Sequence, residues 1–350
     1  MNKKTNIFKD PYPIIFLLFF IYPIIPFIGK FRTLGAELLI WCIFALSFNL
    51  VLGYAGLPSF GHGAFYGVGT YAVALTIMHF YSKGVIIPLI IAAFFGGLFT
   101  FFYGYLIKKK RGIYFALLTV AFSQILYVIG FRWDEVTGGE TGITSLKIGT
   151  FLGIELKNPL YLYYFIFFVF VISLIIIRKI ANSPVGQILR ALKQDEKRAQ
   201  YLGFNTEKYV WYIFTVSGIF AGLAGGLYCI LYSSAFADTL HWVKSGDVVM
   251  ATLLGGGLVN FYGPIVGSVI FIIAREFLSA FWDNWMLLYG LSFVIIILFI
   301  PTGLLGIVEN IKERKHRDSL NNGNNNLTMN EKDKPAKILT KEGNDGPIKD

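Results

Sequence analysis

Arg178-Lys-Ile-Ala-Asn-Ser183-Pro184-Val-Gly186-Gln-Ile-Leu-Arg190-Ala191-Leu-Lys-Gln-Asp-Glu196-Lys-Arg-Ala199-Gln-Tyr-Leu-Gly203 is a polar, basic stretch set between two long apolar runs. A turn of a few residues is enough to join two membrane helices. This chain instead offers an amphipathic element of helix length at the membrane surface, which is what a membrane protein needs if a separate soluble motor is to push it. Ser183-Pro184 predicts an N-cap followed by proline at the first helical position. Ile188, Leu189, Leu192, Ala199 and Leu202 predict an interrupted apolar face, and Gly203 a C-terminal stop.

Outward from this stretch the chain becomes lipid-compatible. It has 350 residues, of which 55% are hydrophobic and only 15% charged, against about 25% charged in soluble domains. Mean hydropathy is +0.61. The apolar residues come as unbroken runs of spanning length, so the fold class is an all-α polytopic membrane protein, since lipid offers no partner to open backbone groups. The alternating pattern of a membrane barrel is absent. The predicted spans are about 13–29, 35–55, 63–82, 85–107, 113–131, 159–177, 209–233, 247–258, 262–281 and 285–300, which is about 8–10 transmembrane helices with glycine-interrupted segments and a cytoplasmic coupling helix. The division is therefore an N-terminal segment 1–12, a permease-like domain 13–306 containing the loop 178–208, and a tail 307–350. From about 315 the tail is rich in Asn, Lys, Asp and Gly and reads as disordered.

Charge orients the bundle. Lys108-Lys-Lys-Arg111 is a dense basic cluster, and 178–208 carries seven Lys/Arg against three acids. Placing both inside puts the N-terminus and Lys312-Glu-Arg-Lys-His-Arg317 inside as well. The net charge of +10 is then an orientation signal and not a nucleic-acid footprint. The first apolar run lacks a small-residue cleavage pattern and reads as a span and not a removed signal. Cys42 and Cys229 both fall in predicted spans and imply packing, not a disulfide framework.

Two apolar regions are broken in a similar way. Ser47, Asn49, Gly53, Tyr54, Gly56, Ser59, Gly61 and His62 punctuate the first; Gly255, Gly256, Gly257 and Asn260 punctuate the second. Paired interruptions of this kind point to a substrate route near the midplane. A turn plus close helix packing accounts for the same residues, and both readings stand. A weak two-fold repeat of undecided orientation accompanies them. Gly218, Gly222 and Gly226 stand four apart, as do Gly63/Gly67 and Gly263/Gly267, which favours close helix approach. His62 is either a proton-sensing group or a structural hydrogen-bonding residue. Arg275-Glu276 lie inside a predicted span and are either functional or paired with neighbours. No phosphate-binding Gly-x-x-x-x-Gly-Lys-Ser/Thr loop, no metal-ligand spacing and no nucleophile elbow occur. The chain is therefore expected not to be an enzyme, to hold no metal and to carry no cofactor of its own.

Four stretches together resemble permeases of branched-chain amino-acid ABC importers, of the LivM-like type. They are Leu46 to Gly69; Arg111 to Gln124 with Thr137-Gly-Gly-Glu-Thr-Gly142; Gly186 to Gly203 with Ala221 to Tyr228; and Gly255 to Gly267 with Pro301-Thr-Gly303-Leu-Leu-Gly306. Arg198 stands where the family's coupling loop has an alanine. The resemblance implies alternating access driven by partners: a homologous H-type permease, two ATP-binding-cassette ATPases that bind the ATP, and an extracytoplasmic solute-binding protein docking on 132–158 and 234–246. It implies transport of branched-chain amino acids, or of a related small solute such as urea or an amide, across the bacterial plasma (inner) membrane. It assigns ATPase coupling to Gly186, Arg190, Ala191, Glu196, Ala199 and Gly203. The rival readings are an ion-coupled secondary transporter of a small solute, which should show buried carboxylates, and a scaffold subunit without transport.

Overall fold

The computed structural model describes residues 12–24, 31–80, 83–151 and 153–281, with scattered positions up to 306. The expectations for 1–11, for most of the span 285–300 and for the tail 307–350 fall outside these residues. Nine of the predicted spans correspond to helices: α1 (Tyr12–Ile21), α2 (Arg32–Asn49), α3 (His62–His79), α4 (Ile86–Ile107), α5 (Gly112–Arg132), α7 (Pro159–Ala181), α10 (Thr206–Tyr232), α11 (Trp242–Gly255) and α12 (Gly263–Phe281). Among the described residues six helices are long and apolar enough to cross a membrane. Short elements connect them: α6 (Asp134–Thr137), a two-residue hairpin of β1 (Thr150–Phe151) and β2 (Ile154–Glu155), α8 (Pro184–Gln194) and α9 (Glu196–Tyr201).

α2 is the central post. It continues through one π turn, Leu50–Tyr54, and the apolar stretch of this 23-residue element is 94% buried, against 17% for α5. α4 shows how a membrane bundle inverts the soluble pattern. Gly96, Thr100 and Gly104, four apart, face inward, while Phe94, Phe102 and Leu106 point out. With lipid outside there is no hydrophobic drive between helices, so small residues at the seam let backbones approach. Opposite them stands α10. A Cβ on Gly222 would collide with the Ala92 carbonyl and lie 2.9 Å from Gly96 Cα. Thr100 Oγ1 donates to Gly96 O at 2.8 Å, which satisfies the hydroxyl within its own helix.

α3 and α11 do not run the full depth. Phe60 N donates to Thr119 Oγ1 at 3.1 Å, Ser123 Oγ to Leu240 O at 2.7 Å, and Gly63 N to Ser245 Oγ at 2.7 Å. Thr119 and Ser123 sit near the midpoint of α5. The first residues of α3 and α11 therefore meet at mid-depth, each after a segment that turns back into the bundle. α11 starts at Trp242, earlier than the predicted 247, because Ser245-Gly-Asp247 lowers the local hydropathy without breaking the helix. The segment 234–246 consequently differs from the docking surface expected of it. Ala235, Ala237, Thr239, Leu240 and Ser245 are buried, and Ala235 pairs with Ile143 of the loop after α5. The paired backbone groups let this irregular stretch dip into the bundle.

Candidate functional site

The basic stretch 178–208 forms two helices and not one. Ser183 caps α8, its Oγ accepting from Gly186 N at 3.5 Å, with Pro184 at the first position. Asp195 then takes an extended conformation (φ −155°, ψ 101°) and its carboxylate accepts from Arg198 N, starting α9. A self-capping Asp ends one helix and begins the next, which breaks the single amphipathic helix the spacing predicts. Leu189, Leu192 and Ala199 are buried as expected, but Leu202 is 70% exposed, beyond the end of α9. Gly203 follows with φ +87° and satisfies its N–H on Gln200 O.

The residues assigned to coupling divide by direction. Gly186 packs against the Ala181 carbonyl at the end of α7. Glu196 accepts a forked pair from Arg111, at 3.0 Å from Nε and 2.7 Å from Nη2, which straps α9 to the 108–111 cluster. Arg190 reaches Tyr54, donating to its hydroxyl at 3.2 Å with the guanidinium 4.7 Å from the ring centre. Ala191 and Gly203 are exposed, as are Tyr201 and Leu202, which precede Gly203.

Behind α8 the two glycine breaks meet. α11 ends on Gly256 in the left-handed region, φ +85°, and its N–H returns to Leu253 O. A Cβ at Gly53 would lie 2.9 Å from Gly257 O, and one at Gly257 would lie 2.9 Å from Asn49 Oδ1. Lys193 bridges both breaks: its Nζ donates to Gly53 O at 2.9 Å and to Leu258 O at 3.4 Å. Burial of its stem lowers the ammonium pKa from its ordinary value. These groups line a cleft of about 440 Å³ together with Arg178, Asn182, Asn260 and Tyr262. Arg178 Nη1 donates to Tyr262 OH at 2.6 Å. Asn49, 1% exposed, has no partner for either end of its amide, and nearby Thr252 Oγ1 has none. Buried polar atoms without a protein partner are the kind that ordered water satisfies.

Ser47, Ser59, Gly61 and His62 lie apart from this cleft. Gly61 abuts the Thr119 carbonyl. His62 is fully buried, its Nε2 3.1 Å from Ser47 Oγ, inside a box of Phe44, Phe48 and Phe65. Gly56, with φ +70°, sits over the Lys193 side chain. Arg275 finds a partner that its own helix does not reveal: Glu37 of α2, at 2.8 Å, with Tyr232 OH donating to the other carboxylate oxygen at 2.7 Å. Sequence reading missed Lys193, Arg178, Tyr262 and Glu37. A lysine one turn from Arg190 on α8, and a single acid inside a spanning run, were the available signals.

A family model described as branched-chain amino acid transport system, permease component, matches residues 34–299. The chain belongs to this family. The permease is 28% identical over 290 residues to the high-affinity branched-chain amino acid transport system permease protein LivM of Escherichia coli K12, covering 76% of this chain and 68% of that one. It is 23% identical to the probable LivM of Methanocaldococcus jannaschii, covering 76% and 90%. It is 23% identical to LivH of Escherichia coli K12, covering 78% and 92%. No solved structure matches.

Proposed function

We propose that this permease is one of the two membrane subunits of an ATP-driven importer of branched-chain amino acids, and that α8 and α9 carry the motion of a cytoplasmic ATPase into the bundle. Its partners are an H-type permease, two ATP-binding-cassette ATPases that hold the nucleotide, and an extracytoplasmic solute-binding protein. The basic clusters at 108–111 and 178–208 support a cytoplasmic position for the α8 end. One observation carries the coupling role: Lys193 on α8 holds the backbone carbonyls of both glycine breaks, and Arg190 holds Tyr54 beside them. Ala191 on α8, Tyr201 at the end of α9 and Leu202 just after it are exposed, forming a lip suited to a groove on a soluble partner. A push on that lip moves Lys193, and Lys193 moves the junction of the two breaks. The packed glycine seams make the bundle switch between arrangements instead of flexing continuously.

An ion-coupled carrier needs a buried carboxylate free to change protonation. Glu37 is buried and tied to Arg275 and Tyr232, whereas Asp247 is half-buried without a side-chain hydrogen bond among the described residues; the ATP-driven reading is therefore carried by the Lys193 link from α8 to both breaks. The test is reconstitution of the permease with its H-type partner, the ATPases and the binding protein in liposomes. Uptake of labelled leucine, isoleucine and valine should require ATP and the binding protein together. Uptake driven by an ion gradient without ATP would overturn the proposal.

A further inference from the structure

Glu37 and Arg275 begin a line of charge that runs inward from the bundle end opposite α8. Trp41 lies one turn deeper on α2, and its ring packs on Phe271 of α12 at 5.1 Å. Lys244, in the first turn of α11, faces that ring, its Nζ 5.4 Å from the ring centre. Asp247 stands one turn further along α11, within electrostatic reach of both Lys244 and Arg275. Glu37 and Arg275 satisfy each other. Lys244 and Asp247 are each half-buried, and among the described residues neither has a hydrogen bond or an ion pair through its side chain. The Trp41 indole is 3% exposed, and its Nε1–H has no acceptor.

Charges that lie this deep without a hydrogen-bonded partner are expensive, and such groups mark places where a ligand or a pathway uses them. Here a cation that faces the Trp41 ring without a hydrogen bond lies beside a buried N–H donor without an acceptor, and a carboxylate without a hydrogen bond lies one turn away on the same helix, near enough for the two charges to feel each other. The ligand that complements all three carries a carboxylate and an ammonium on one small frame. We propose that Lys244, Asp247 and Trp41 form a station that binds the charged ends of an α-amino acid zwitterion as it crosses the bundle. Lys244 and the indole N–H take the carboxylate, and Asp247 takes the ammonium. Trp41, Phe44 and Tyr66, whose rings neighbour one another at 4.7 to 5.8 Å, supply an apolar wall for a branched side chain. The Glu37–Arg275 pair holds the local field close to neutral, so that neither end of the zwitterion is repelled on entry. The station rests on the amino-acid importer reading, and it gives that reading a binding site in the membrane.

The test compares Lys244→Met and Asp247→Asn with the unaltered permease in the complete reconstituted transporter. Labelled leucine uptake and binding-protein-stimulated ATP hydrolysis are measured in the same vesicles. Each variant should raise the ATP hydrolysed per leucine imported at least tenfold while assembly with the partners persists. An unchanged ratio in both variants overturns the station. Asp247→Asn alters charge with almost no change of shape, so its failure to assemble would also overturn the proposal by making the charge structural. If the unaltered transporter imports no amino acid, the importer reading itself fails, and that result is distinct from either of these.

Discussion

Lys193→Met removes an ammonium and keeps the stem. The stem packs over Gly56, its Cγ 2.9 Å from where a Gly56 Cβ would be, so the variant leaves local packing close to intact. What it loses is two charge-assisted hydrogen bonds, to Gly53 O at 2.9 Å and Leu258 O at 3.4 Å. Such bonds contribute about 1.5–3 kcal/mol each when buried. Lys193 is exposed on one side and the second bond is long, so about 2 kcal/mol for the two together is a fair weight. At about 1.4 kcal/mol per factor of ten, the linkage between α8 and the breaks weakens by roughly 30-fold. The assay is paired measurement of ATP hydrolysis and labelled leucine uptake in vesicles. Hydrolysis should continue near its original rate while uptake falls at least tenfold, because the motor still turns but no longer moves the junction. Lys193→Arg should restore part of the uptake. Undiminished uptake in Lys193→Met would refute the transmission argument, since the lysine would then be a bystander.

Ala191→Trp fills the outward face of α8 without touching the bundle, and should lower co-purification of the ATPase while the permease stays inserted, as read by pull-down against membrane yield. Gly222→Leu drives a side chain into the Ala92 carbonyl and Gly96; overpacking of that kind costs about 1–3 kcal/mol or more, and the folded yield in detergent should drop on warming. A cysteine at exposed Gln194 should stay unlabelled by an impermeant thiol reagent in intact cells and react in inverted vesicles. Cys42 and Cys229 are both buried, so the background in that experiment is low.

Much of the architecture is written in hydropathy. Six of the nine helices found at predicted spans are long apolar runs, and Ser183-Pro184 marks the start of α8 by capping chemistry alone. The division at Asp195 was hidden because an Asp inside an amphipathic pattern reads equally as a surface residue of one helix or as the cap of a second. The depth of the breaks was hidden for another reason. Whether 55–61 and 234–241 turn at the surface or dip inward depends on contacts with Thr119 and Ser123 of α5, which are far away in sequence. His62 and Asn49 belong to one motif, yet the first is enclosed by aromatic rings and the second borders the glycine junction. Glu37 looked isolated in its run because its partner is Arg275, on the last fully described helix. The positive φ angles also bear on experimental design: Gly56 and Gly256 sit at +70° and +85°, so leucine at either strains the backbone whatever it does to a passage. Gly53→Ala, which meets the Asn49 amide without such strain, is the sharper probe of the junction.

The most direct test of the coupling claim is a cross-link. With Cys42 and Cys229 replaced, a single Ala191→Cys permease is assembled with its ATPases and treated with a short bifunctional thiol reagent. Docking of α8 on the ATPase requires a permease–ATPase adduct in good yield, with a rate that changes when ATP is bound. No adduct in an assembled complex that imports leucine, under conditions where the introduced thiol reacts freely with a small monofunctional reagent, would contradict it.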